Sequence, residues 1–274
     1  MRIIYRNLVD EATLTASPAM VATLPVSHLQ TDAREEVARS VGLASQTIDI
    51  ATAAPQVIMG CVLYRGNFTS AATWRVRVYD TPAMGTLLYD SGSMLVNPPK
   101  PLGDLQWGIE PLGTTIYDGW GYTVSELWIP PVVASFTRLT LDDAANPDGF
   151  MQLSRVFLGA YLEPEYMPAP GMSMQRKETT KQERSAGGTL HTEAGAQFRA
   201  LTVGGRFIPE TTRANLSTME GEVGMRKDVY VSVYPDQRDA LARDHRMQAK
   251  LVAIDPMTTP FYRTADHVLR FEEV

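Results

Sequence analysis

The chain has 274 residues, 44% of them hydrophobic and 20% charged, enough for about two domains of roughly 150 residues with real cores. No run approaches the ~20 consecutive apolar residues of a membrane-spanning helix, and Arg6 and Asp10 interrupt MRIIYRNLVDE too early for a secretory leader. Net charge is −6, with ten Lys and Arg against seventeen Asp and Glu through residue 165 and a remainder of +1. Neither part offers the clustered cationic face that nucleic acid requires.

The first candidate element is a helix over Ser27 to Ala38, with Asp32, Arg34, Glu35 and Glu36 outward. Val57 to Tyr64 is apolar, interrupted by Gly60, and fits a buried strand. It contains the single cysteine, Cys61, which permits no internal disulfide and no zinc cluster and reads as a buried structural thiol. Ala71 to Tyr79 alternates with period two, placing Trp74, Val76 and Val78 on one face and Arg75, Arg77 and Tyr79 on the other. Phe136 to Leu141 alternates likewise. Turn clusters separate these runs at Asp80-Thr81-Pro82, Asp90-Ser91-Gly92, Asn97 to Pro101 and Asn146 to Gly149. Short strands with this punctuation define an antiparallel sandwich over residues 1–165.

Glu163 to Gly171 is rich in Pro and reads as a stiff connector or strap. Arg176 to Gly188 is polar and of mixed charge, a solvated hairpin or a flexible arm; past the sandwich boundary at 165, the connector and the arm are assigned residues 166–190. Residues 191–274 change character. Pro209 to Val223 fits a helix whose Thr212, Leu216, Met219 and Val223 share a face, with Pro209 opening it and Gly224 closing it. Asp228 to Tyr234, Met247 to Ile254 and Val268 to Phe271 read as strands, giving a smaller α+β domain. The alternating strand Asp228, Tyr230, Ser232, Tyr234 has no Lys within it to guard an edge, which marks these four residues as a candidate subunit interface.

No constellation for chemistry emerges. There is no nucleophile elbow, P-loop, HExxH or dinucleotide fingerprint. His28, His191, His245 and His267 have no metal-ligand spacing and read as surface or interface residues. Asp142 and Asp143 are adjacent on a strand and point to opposite faces, so they do not converge. The expectation is a protein that is not an enzyme, with no catalytic residue, cofactor or metal. The aromatic residues are more suggestive. Trp107, Tyr117, Trp120, Tyr122 and Trp128 lie close in sequence, either as core and loop anchors or as flat rings on which a carbohydrate stacks.

Two stretches carry a resemblance. Gly66 through Val78, Asn146 through Gly159 and the step Ala38-Arg39-Ser40 resemble galactose-binding-like domains of phage virion proteins. Gln197 to Val203, the following helix and the strand ending Tyr234-Pro235-Asp236 resemble the ring-forming domain of distal tail proteins, although here the sandwich comes first. The resemblance implies a galactose-binding-like sandwich and a structural role in the tail tip or baseplate of a long-tailed phage, made in the host cytoplasm and residing in the virion. Its implied partners are itself, in a hexameric or trimeric ring, and other tail proteins, with neither nucleic acid nor membrane. The alternative is a carbohydrate-binding module that attaches to a host-surface glycan.

Overall fold

The computed structural model describes all residues from Met1 to Val274, which fold mostly as β in antiparallel sheets. The eight-stranded first sheet runs in the order Ala38–Arg39, Gln152–Gly159, Gln46–Gly66, Thr123–Asp142, Thr73–Tyr79, Leu87–Asp90, with Thr13–Ser17 and Met94–Leu95 added at its sides. Its two long strands, Gln46–Gly66 and Thr123–Asp142, pair throughout, with register shifts between Ala51 and Gln56 and between Ile58 and Gly60. Such irregularities bend a strand. The N-terminal half of Gln46–Gly66 pairs with Thr13–Ser17 and its C-terminal half with Gln152–Gly159. The sheet thereby closes around one core in which Ile48, Ile50, Trp74, Val76 and Val78 meet Leu63, Leu153, Val156 and Leu158. Cys61 is buried in that core, and burial pushes its thiol up to about 12, as its apolar run implied.

Gly60 interrupts the apolar run because Trp128 lies across it. A Cβ there would sit 2.7 Å from the Trp128 ring. The expected helix over Ser27 to Ala38 does not form. Val26–Gln30 is one 3-10 turn, followed by an irregular segment and the short strand Ala38–Arg39. Leu29, Ala33 and Val37 do stand at helical spacing, but Ala33 and Val37 are only half-buried and do not supply the buried face a helix needs. Instead Leu29 alone is buried within the turn, and the Gln30 amide donates to the carbonyls of Val9 and Ala12, both at 2.8 Å.

The seven-stranded second sheet has the order Arg2–Ile4, Asp228–Ser232, Arg246–Ile254, Thr264–Glu273, Gln197–Pro209, Ser173–Glu178, with Thr258–Phe261 paired to Thr264–Glu273. The expected helix spans Glu210–Val223 with Pro209 at its N-cap, and it buries Thr212, Leu216, Met219 and Val223. The last three pack with Val203, Val229, Val231, Leu269 and Phe271. Arg2–Ile4 corrects the expected division of the chain: the first strand belongs to the second sheet, paired with Asp228–Ser232. The Pro-rich stretch is a docked strap, with Met167 buried in the second core and the Ala169 amide donating to the Gly204 carbonyl at 2.7 Å. The polar arm forms the exposed hairpin Lys181–Arg184 and Leu190–Glu193.

Between the sheets lies a third cluster of Ile4, Val62, Tyr64, Ile116, Tyr117, Val124, Phe157 and Tyr230. Charges tighten this seam: Arg155 pairs with Asp228, and Arg246 Nε lies 3.0 Å from Glu126. The seam overturns the expected subunit interface. Val229, Val231 and Val233 face the helix-side core, while Tyr230 meets Phe157 and Tyr64. Asp228, Tyr230 and Ser232 are buried, with Tyr230 fully inaccessible, and half-buried Tyr234 packs edge-on to His245 at 5.3 Å. A strand covered on both faces and hydrogen-bonded on both edges has nothing left for another subunit.

Candidate functional site

A cleft of about 260 Å³ opens where the two sheets meet. Six separate segments build it. The loop after the sandwich's long excursion contributes Gly119, Trp120 and Tyr122, and the end of the strand Gln46–Gly66 contributes Arg65. Arg34 comes from the irregular segment, Arg176 from the second sheet's outer strand, Gln197, Phe198 and Arg199 from its neighbour, and Glu273 from the last strand. Arg65 has φ of +58°, a left-handed conformation uncommon for a residue with a Cβ.

Glu273 is the electrostatic pivot. Its carboxylate accepts from Arg65 Nη2 at 2.9 Å, from Arg199 Nε and Nη2 at 2.9 and 2.8 Å, and from the Tyr64 and Tyr122 hydroxyls at 3.1 and 3.2 Å. Burial alone would raise its pKa, but the hydrogen bonds and charge of Arg199, joined by Arg65, prevail and hold it at about 2. Around this pair of cations the aromatic rings are stacked with guanidinium groups. Arg243 lies 4.1 Å from the Trp120 ring centre, Arg176 5.1 Å and Arg199 5.8 Å, while Arg65 lies 4.8 Å from that of Tyr122. Arginine over an aromatic face is attractive by about 0.5–2 kcal/mol, so the rings and cations hold one another in place.

The five expected aromatic residues do not form one platform. Trp120 and Tyr122 line the cleft, with ring centres 6.3 Å apart. Tyr117 is buried in the seam, and Trp128 packs edge-on to Tyr161 at 5.3 Å with Arg2 above it. Trp107 is 74% exposed on the loop that also presents Leu102, Ile109 and Leu112, outside the cleft. The second sheet draws Tyr117 and Trp128 inward, which their spacing in sequence could not reveal. The arginines were the missed half of the site. Their one sequence signal was the preference for Arg over Lys, 20 to 5.

The other candidates have structural employment. His267 is buried with Nε2 2.7 Å from Glu220, and His245 is buried against the Leu241 carbonyl at 2.8 Å, where a surface or interface position was expected for each. Asp143 is buried and accepts from the Thr69 amide and hydroxyl at 2.9 and 2.6 Å. No group of three or more His, Cys, Asp and Glu is placed to hold a metal ion.

No protein-family model matches the chain, and no curated protein matches it. Among solved structures, the chain is similar to a chitosan-binding module from a chitosanase/glucanase of Paenibacillus sp. IK-5, at 14% identity and a TM-score of 0.39, over 57% of this chain and 99% of that one. A Clostridium perfringens module solved with GalNAc-β-1,3-galactose gives 10% identity and 0.39, over 57% of this chain and all of that one. A Ruminococcus gnavus fucosidase gives 12% and 0.40, over 58% of this chain but 27% of the enzyme. None of these three scores reaches 0.5.

Proposed function

We propose that the chain is a non-catalytic glycan-recognition protein that holds a cell-surface saccharide in the cleft between its two sheets. The observation that carries this reading is the convergence of Trp120 and Tyr122 with the guanidinium and amide donors of Arg34, Arg176 and Gln197 in one opening. Aromatic rings receive the CH face of a sugar, and planar donors receive its hydroxyl groups. The state of Glu273 supports binding without bond cleavage. It is the one carboxylate lining the cleft, already engaged by two arginines and held ionised, whereas glycoside hydrolysis uses two carboxyl groups flanking the scissile bond. A glycan array probed with the full chain, followed by titration of each hit against Trp120→Ala, tests this. An empty array removes the reading, and hits that bind the variant equally well remove the cleft from it.

A second reading rests on a different surface. Phe207 and Phe261 stack at 5.8 Å and 25° beside Tyr262, which is 90% exposed at the tip of the hairpin Thr258–Phe261 and Thr264–Glu273. Exposed aromatic patches of this kind mark contacts with other subunits. This favours an assembly role, and with the resemblance in sequence it supports placing the chain in the virion of a long-tailed phage, in the distal tail or baseplate, against copies of itself and other tail proteins. A host-attachment subunit would unite the two readings. Labelling purified particles with an antibody against the chain tests the placement, and particles without the chain would end it.

A further inference from the structure

The cleft is cationic within an acidic chain. Net charge is −6 overall, yet Arg34, Arg65, Arg176 and Arg199 line the opening against Glu273 alone. A purely structural role would need only enough arginine to satisfy that carboxylate. Arg65 and Arg199 do so from the buried side, and nearby Arg243 is paired with Asp244. Arg34 and Arg176 are surplus: both are exposed, and neither enters an ion pair or a side-chain hydrogen bond. Like charges gathered around one opening repel each other unless an anion enters between them. Arg176 is nevertheless kept over the cleft, its guanidinium 5.1 Å from the Trp120 ring centre.

Building on the glycan-binding reading above, we infer that the cleft selects a saccharide bearing an anionic oxyacid group, a carboxylate or a phosphate. The sugar ring lies against Trp120 and Tyr122, and the anion is received by Arg34 and Arg176. A guanidinium presents paired N–H donors in a plane that matches either oxyacid, with charge assistance at each bond. The volume of about 260 Å³ falls just under the ~300–1,000 Å³ of drug-sized sites, which suits one terminal sugar residue with its charged substituent. Arg34 and Arg176 are thus the specificity-determining residues, and Arg65 and Arg199 position the floor by holding Glu273.

Calorimetric titration of the full chain with sialyllactose, glucose 6-phosphate, lactose and inorganic phosphate tests this. One of the two charged sugars should bind at least ~tenfold more tightly than lactose, consistent with a pair of charge-assisted contacts, and whichever binds better identifies the oxyacid. Raising salt from about 0.05 M to about 0.5 M should shrink the preference, because the two cations are solvent-exposed. Arg34→Gln with Arg176→Gln should abolish it while the thermal unfolding midpoint stays unchanged. Equal affinity for charged and neutral sugars overturns the inference and leaves glycan binding standing, as does a preference that survives the double substitution. Binding of inorganic phosphate with no affinity for any sugar overturns the glycan reading and the saccharide inference together.

Discussion

Arg155 and Asp228 meet across the seam as a buried bidentate pair, with Nε 3.1 Å from Oδ2 and Nη2 3.0 Å from Oδ1. Arg155 stands on the sandwich strand Gln152–Gly159 and Asp228 opens the second sheet's Asp228–Ser232. The same guanidinium donates to the Leu29 carbonyl at 3.1 Å and reaches Asp10 at 2.8 Å. One side chain therefore fastens four segments of the chain at the seam.

Removing that guanidinium should be costly. Arg155→Ala leaves Asp228 buried and unpaired, which destabilises by about 3–5 kcal/mol in comparable buried pairs. Urea unfolding followed by tryptophan fluorescence checks the loss, and a change below ~1 kcal/mol, typical of exposed pairs, would show that the seam is not fastened here.

Acid should loosen the cleft. Glu273 has a folded-state pKa of about 2 against its ordinary 4.5, so the folded chain favours the ionised form. The stability this contributes is fully present above about pH 4.5 and is lost as pH falls towards 2. Its magnitude is on the order of 3 kcal/mol, since each tenfold preference is worth ~1.4 kcal/mol. Glu273→Gln should be less stable at pH 7 and lose less on acidification, as read from urea midpoints at pH 7, 4 and 3. Parallel curves for the two proteins would contradict the assignment.

Proteolysis should report on the docked strap. Lys181 and Arg184 lie in the hairpin whose residues are all exposed, whereas Met167 is buried. Exposed tips are preferred cleavage sites, so brief digestion with proteinase K should cut first within 181–193, as located by mass spectrometry. A first cut at 167–171 would show that the strap is not held against Gly204 and Gly205.

What the sequence disclosed follows local periodicity. Trp74, Val76 and Val78 are buried as their alternation required, and the helix Glu210–Val223 buries the face its spacing defined. The strand Asp228–Ser232 misled because the lack of a guarding Lys suggested an open edge, and nothing local indicates that Arg2–Ile4 pairs with that edge or that Arg155 and Glu126 arrive from far along the chain to cover the strand. Arg2–Ile4 was missed because three residues are too short to show a period. The cleft was half legible. Trp120 and Tyr122 belong to a visible aromatic run, but Arg34, Arg65, Arg176, Arg199 and Glu273 converge only through the packing of the two sheets.

The hairpin aromatics should matter to assembly and little to folding. Tyr262 is 90% exposed and Phe261 63%, and substitution at such surface sites usually changes stability by less than ~0.5 kcal/mol. Phe261→Ala with Tyr262→Ala should keep the unfolding midpoint while lowering the mass observed by light scattering at high concentration. An unchanged mass from a wild type that does associate would exclude this patch as the contact.

The most direct measurement is a crystal structure of the full chain soaked with the tightest saccharide from the glycan array. The expected result is a sugar ring against Trp120 and Tyr122, with its charged substituent on Arg34 and Arg176. A sugar bound instead on the exposed loop around Trp107, with the cleft empty, would contradict it.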